Sequence, residues 1–162
     1  MALVASQVGG KVRSLLAANL GAAGAQVASG CGIAIPALSA GQVMGGNVAA
    51  ELAEKSVGAH YPLFRVSCSK VANTLREKFR TFSGQAEVTV EALVTQDRLD
   101  GIEDQLHGCV EAVTAVLDAN RGDWGGGALY NGGYEVTFGA VKHGGKNFLQ
   151  SARIVIAVDV SK

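Results

Sequence analysis

Apolar and polar positions along the chain follow two different periods. Between Asp97 and Leu117 the apolar residues recur at steps of three and four, which predicts a long amphipathic helix. From Ala86 to Thr95 every second residue is apolar, which predicts a half-buried strand. Further strands are predicted at Tyr61–Cys68, Tyr134–Ala140 and Ala152–Val160. The apolar positions of the helix are Leu99, Ile102, Leu106, Val110, Val113 and Leu117.

The N-terminal part of the chain has a weaker pattern. A helical period runs from Leu3 to Leu20, although Gly9 and Gly10 each cost about 1 kcal/mol relative to alanine. No charged residue occurs from Ser14 to Ala50, and this Ala-, Gly- and Ser-rich stretch predicts irregular chain or a short strand around Pro36. We expect it to pack against a neighbouring surface, because exposed apolar area is otherwise a liability.

Two further predictions concern the same region. A short helix is expected from Asn47 to Lys55, with Asn47 as its cap. The stretch from Leu15 to Leu38 is long enough to span a bilayer, but its glycines, Asn19 and Pro36 argue against a span. We therefore predict no membrane partner.

The order of elements predicts an α+β fold. A mostly antiparallel sheet would carry the long amphipathic helix on one face, preceded by the N-terminal helical and Gly/Ala-rich segment. We expect one domain over residues 1–162, with an N-terminal extension at 1–60 and an α+β core at 61–162.

Composition and candidate chemistry point away from catalysis. Fourteen basic and fourteen acidic residues give a formal net charge of zero, so the electrostatic footprint of a dedicated nucleic-acid binder is missing. The three cysteines and three histidines are scattered and form no ligand motif, which predicts no metal, no cofactor and no catalytic set. Gly144-Gly145-Lys146 lacks the following Ser or Thr of a phosphate loop and predicts a turn between strands.

Several segments together resemble the tail terminator, or tail completion, proteins of long-tailed bacteriophages. The resemblance covers roughly residues 60–162. The segments that carry it are Val71-Ala72-Asn73, Leu75-Arg76-Glu77-Lys78-Phe79-Arg80-Thr81-Phe82-Ser83-Gly84, Asp97-Arg98-Leu99, Arg121-Gly122-Asp123-Trp124-Gly125, Gly132-Gly133-Tyr134-Glu135-Val136 and Lys142-His143-Gly144-Gly145-Lys146-Asn147-Phe148-Leu149-Gln150.

The resemblance implies a structural virion protein with no enzymatic activity. Such a subunit closes into a six-membered ring on the tail tube, ends tube growth and offers a docking surface to the neck and capsid. Its partners would be other copies of itself, the tail tube protein, neck or head–tail connector proteins and, in contractile tails, the sheath protein. DNA would only pass through the lumen, and the protein would lie at the tail–neck junction after assembly in the host cytoplasm.

The resemblance also implies a set of contact residues. Arg76, Lys78 and Arg80 would be polar subunit contacts, with Phe79, Phe82 and Trp124 as buried anchors. Lys142, His143 and Lys146 would lie on a rim loop that faces the tube or the neck. Arg121 and Asp123, beside Trp124, complete the predicted interface residues.

Two alternatives remain open on the sequence. Another phage neck protein, such as a head–tail adaptor, would share the assembly role but contact the portal side. A small cytosolic enzyme or ligand-binding domain that uses Cys109 or His143 would need a concave polar site and a perturbed pKa.

Overall fold

The computed structural model describes residues 2–48, 60–74 and 79–162, and these form an α+β fold. The helices are α1 (Ala2–Cys31) and α2 (Ile102–Ala119), and a 3₁₀ turn covers Ala40–Gln42. The strands are β1 (Val43–Gly45), β2 (Leu63–Asn73), β3 (Ser83–Gln96), β4 (Gly122–Gly125), β5 (Ala128–Tyr130), β6 (Glu135–Phe138), β7 (Lys142–Gly144) and β8 (Asn147–Ser161). Neither described helix is both long and apolar enough to cross a bilayer.

The strands form one mostly antiparallel sheet in the order β1-β2-β3-β8-β5-β4. Among the described strands, only β1 runs parallel to its neighbour. The longest pairing joins β3 to β8, from Ser83 opposite Ser161 to Gln96 opposite Phe148. Along its other side, successive parts of β8 pair with β7, β6 and β5. Strand β8 therefore has neighbours on both sides over most of its length.

The predicted amphipathic helix is confirmed as α2, which packs with α1 on one face of the sheet. Its apolar stripe is buried against alternate residues of β3 and β8, such as Val90 and Ile154. Leu99 does not belong to that stripe, because the helix begins only at Ile102, after Gly101 with a φ of +82°. The Leu99 side chain is 59% exposed.

Helix α1 is much longer than predicted. The pattern indicated a helix ending near Leu20 and irregular chain beyond it, but the helix continues to Cys31. Ala23 and Val27 extend the buried stripe by two more turns. The alanines of this segment favour a helix, and tertiary packing of the apolar stripe offsets the cost of its glycines. The buried stripe of α1 is Val4, Val8, Val12, Leu16, Leu20, Ala23 and Val27.

The uncharged chain after α1 packs inside the same subunit. A Cβ added at Gly24 would lie 2.8 Å from Leu38, and one added at Gly108 would lie 3.0 Å from Ile35. The glycines of both helices therefore let residues 32–38 run close against them. Of the two alternatives predicted around Pro36, irregular chain is confirmed and a short strand is not, since 32–39 is neither helix nor strand and β1 begins only at Val43.

Most of the predicted helix from Asn47 to Lys55 lies outside the described residues. Asn47 and Val48, its described part, are not helical.

The opposite face of the sheet is largely polar. Residues of β2, β3 and β8 that point away from the helices include Arg65, Glu91 and Arg153, which lie side by side in register. Near one end of this face Leu63, Leu93 and Leu149 form a small separate apolar cluster. The sheet thus has one face that makes the core and one that carries polar groups.

Candidate functional site

The predicted contact residues divide between opposite ends of β8. Phe79 and Arg80 lie beside Ser161, at the C-terminal end of the strand, whereas Lys142 and Lys146 lie at its N-terminal end. Since a strand rises about 3.3 Å per residue, the two groups are about 45 Å apart along β8. We call them the aromatic end and the basic end.

The aromatic end is fixed by main-chain hydrogen bonds to Lys162. The amides of Thr81 and Phe82 donate to the Lys162 carbonyl over 2.7 and 3.1 Å, and the Lys162 amide donates to the Phe82 carbonyl over 2.8 Å. Arg80 donates from Nη1 to the Ser161 hydroxyl. These bonds hold Phe79 outside the core with 95% of its surface exposed. A phenyl ring so exposed, next to main chain anchored at residues 81 and 82, is accessible to another molecule.

Phe82 does not match its predicted role as an interface anchor. Its side chain is only 5% exposed and belongs to the core of its own subunit. Position 82 directly precedes β3, so the ring turns inward with the buried side of that strand. Arg76 and Lys78 lie outside the described residues.

The basic end is a β-hairpin. Strand β7 pairs with the start of β8, with Gly144 opposite Asn147, and the turn contains Gly145 with a φ of +69°. This confirms the predicted turn between strands. The His143 ring stands edge-on to Phe148, with 5.7 Å between ring centroids, and the Lys146 side chain is exposed. The hairpin therefore exposes the Lys146 ammonium group beside its turn.

The remaining predicted contacts lie at the edge of the sheet around β4 and contact their own subunit. Trp124 is half-buried; its Nε1 donates to the Asn120 carbonyl over 2.7 Å and its ring centroid lies 5.1 Å from that of Tyr130. Asp123 accepts the Gly125 amide over 2.8 Å. A hydrogen bond to Asp118 raises the pKa of the exposed Arg121 guanidinium. This cluster stabilises the end of α2 and the β4–β5 hairpin.

The sequence pattern missed two exposed aromatic residues. Tyr134 and Phe138 fall on the apolar side of a predicted strand, yet they are 42% and 45% exposed. Strand β6 is short and pairs only with β8, and its Val136 alone is half-buried against the core. The Phe138 ring stands edge-on to His107 of α2 at 4.8 Å between centroids. Only the shortness of the alternating run could have suggested an edge strand.

The thiol and imidazole groups form no reactive set among the described residues. Burial raises the pKa of the Cys109 thiol to about 12, which suppresses the thiolate needed for nucleophilic attack. His143 contacts Phe148 rather than a carboxylate or thiol. No group of three or more His, Cys, Asp or Glu side chains within these residues could hold a metal ion.

Comparison with known proteins supplies no family for the chain. No protein-family model matches it, and no curated protein matches it significantly.

Proposed function

We propose that the chain is a tail terminator subunit that assembles into a ring on the end of a phage tail tube. The ring would stop tube polymerisation and present a docking surface to the neck. The proposal joins the sequence resemblance over residues 60–162 to the arrangement of the predicted contact residues.

The observation that carries the proposal is the separation of those residues along β8. A terminator has to contact neighbouring copies of itself and also the tube or the neck. The aromatic end, with Phe79, and the basic end, with Lys146, lie about 45 Å apart along β8 and differ in chemistry. This separation supports a role for the aromatic end in contacts between subunits and for the basic end in docking to the tube or the neck.

Ring closure also requires two unlike surfaces on each subunit, because a head-to-tail contact joins two different patches. The sheet has unlike edges among the described residues. At one edge, β1 pairs with Phe64–Val66 of β2. No described strand pairs with the outer side of the rest of β2, Ser67–Asn73. The far edge is β4, in a short glycine-rich hairpin. These two edges support lateral contacts between neighbouring copies.

The test begins with the solution mass of the purified chain, measured by light scattering, and negative-stain imaging of the same fraction. We expect a particle of six subunits with a central hole. If the chain is monomeric alone, purified tail tubes are added, and capped tubes of fixed length support the proposal. A monomer that leaves tube growth unchanged contradicts it. Binding to portal rings instead of tubes would favour a head–tail adaptor.

A further inference from the structure

Arg65 is a buried arginine with no hydrogen-bond or ion-pair partner among the residues that the structure describes. Its side chain is only 6% exposed, and its Nε atom is buried with no hydrogen bond. Among the described residues, no ion pair joins it to a carboxylate. A guanidinium stays charged in proteins, so an uncompensated one inside a protein carries a desolvation cost that an anion would offset.

A small cavity lies against this arginine on the polar face of the sheet. Its volume is about 80 Å³, and its walls include Arg65, Arg153, Ser67 and Asn47. A water molecule occupies about 30 Å³ in the liquid, so the cavity holds a few waters or one small ion. It is too small for a nucleotide.

The charges around the cavity favour an anion. In register across the sheet, Arg65 is opposite Glu91, and Glu91 is opposite Arg153. Directly opposed side chains lie about 5 Å apart at Cβ, so Glu91 lies between the two arginines in the register of the sheet. The lining therefore keeps a net positive charge after Glu91 is counted.

Some polar side chains of the cavity wall already donate hydrogen bonds within the protein, and others do not. Thr89 donates to Ser69 over 3.2 Å, and Ser69 donates to the Glu87 carboxylate over 2.9 Å, so both hydroxyl protons are engaged. Ser67 and Asn47 make no side-chain hydrogen bond to any described residue. Together with the two arginines they supply donors at several points around the same small volume.

We infer that this cavity, between Arg65 and Arg153 on the polar face of the sheet, is a binding site for a small tetrahedral oxyanion of the phosphate or sulfate class. Charge-assisted hydrogen bonds from guanidinium groups match such oxyanions in geometry. The site is formed by one subunit, so it does not depend on ring assembly or on the proposed tail function.

The experiment measures binding of inorganic phosphate to the full chain by isothermal titration, supported by thermal unfolding at constant ionic strength with chloride as the reference salt. Low millimolar phosphate is used because high concentrations stabilise proteins by exclusion from the surface. We expect saturable binding of one phosphate per chain, a rise of the melting temperature with phosphate, and competition by sulfate.

Three arginine variants make the result specific. Arg65→Met, which keeps an unbranched apolar stem but removes the charge and the donors, should abolish the phosphate response while melting in chloride no lower than the wild type, because it removes a buried charge without a described partner. Arg153→Met should weaken phosphate binding about tenfold. Arg98→Met, which alters an exposed arginine in the loop before α2, should bind as the wild type does.

Several results would overturn the inference. These are the absence of saturable binding, an equal response in Arg65→Met, or a response to acetate but not to phosphate. If Arg65→Met fails to fold, Arg153→Met decides the outcome, and unchanged binding in that variant contradicts the site.

Discussion

Gly84 lies so close to Ala72 that no side chain fits between them: a Cβ atom at position 84 would be 1.9 Å from the Ala72 carbonyl oxygen. The obstacle is main chain of the adjacent strand β2, so no rotamer change can relieve it. We expect Gly84→Ala to lower the free energy of unfolding by about 1–3 kcal/mol, as overpacking does. Urea denaturation followed by circular dichroism measures this, and unchanged stability would show that β2 and β3 pair less closely here.

Gly10 offers the opposite case. It lies within α1, and a Cβ added there meets no heavy atom within 4 Å. Gly10→Ala should raise the free energy of unfolding by about 0.5–1 kcal/mol, because alanine loses less backbone entropy in a helix than glycine does. The same denaturation assay applies. A loss of stability would mean that this helical position needs the small residue for packing.

The Cys109 thiol predicts a change of stability at alkaline pH. Burial raises its pKa from 9.0 to about 12, so between these values the unfolded chain has released a proton that the folded chain retains. Stability from this group is therefore complete below pH 9 and is lost as the pH rises through that window. Between pH 8 and pH 10 the wild type should lose roughly 1 kcal/mol more than Cys109→Ala.

Urea denaturation of both proteins at the two pH values gives the comparison. The difference between them isolates Cys109, because other groups with a raised pKa, such as Tyr130, are present in both. Parallel losses would contradict the assignment of the effect to this thiol.

Phe79 should be needed for assembly and dispensable for folding. Its ring is 95% exposed, so Phe79→Ser should change the free energy of unfolding by less than about 0.5 kcal/mol while it reduces the ring fraction seen by light scattering. Leu99→Ser, at a 59% exposed leucine outside the predicted contacts, is the matched control and should assemble normally. Equal assembly of both variants would remove Phe79 from the interface.

Arg80→Glu probes the same end by charge reversal. Arg80 is exposed and donates to Ser161, so the loss of this surface bond should leave the subunit folded while the reversed charge blocks ring closure. Normal rings from this variant, seen in negative stain beside the wild type, would contradict the predicted contact.

The strongly periodic elements could be predicted from sequence, and the elements that depend on tertiary contacts could not. Helix α2 and strands β3 and β8 have patterns long enough to define both element and buried face. The second half of α1 is interrupted by glycines, but its many alanines favour a helix, and Ala23 and Val27 continue the buried stripe of Leu16 and Leu20. The glycines obscured this period in the sequence.

The candidate sites show the same division. The turn at Gly145 followed from local turn chemistry and is present as expected. The burial of Phe82 and the exposure of Phe138 depend on which strands have neighbours, which local alternation does not specify. Arg65 carries no signal in sequence, because only the register across β2, β3 and β8 places it beside Glu91 and Arg153.

Lys146 provides the test that separates the two ends of β8. It is exposed on the β7–β8 hairpin, about 45 Å along the strand from Phe79, so its charge can be reversed without touching the aromatic end. If the basic end contacts the tube or the neck and the aromatic end contributes to ring closure, Lys146→Glu should still form rings but fail to dock. Pelleting with tail tubes and with neck proteins measures this, beside Lys11→Glu from the first half of α1 as the control. Loss of rings in Lys146→Glu would place the hairpin between subunits, and normal docking to both partners would exclude it from either face.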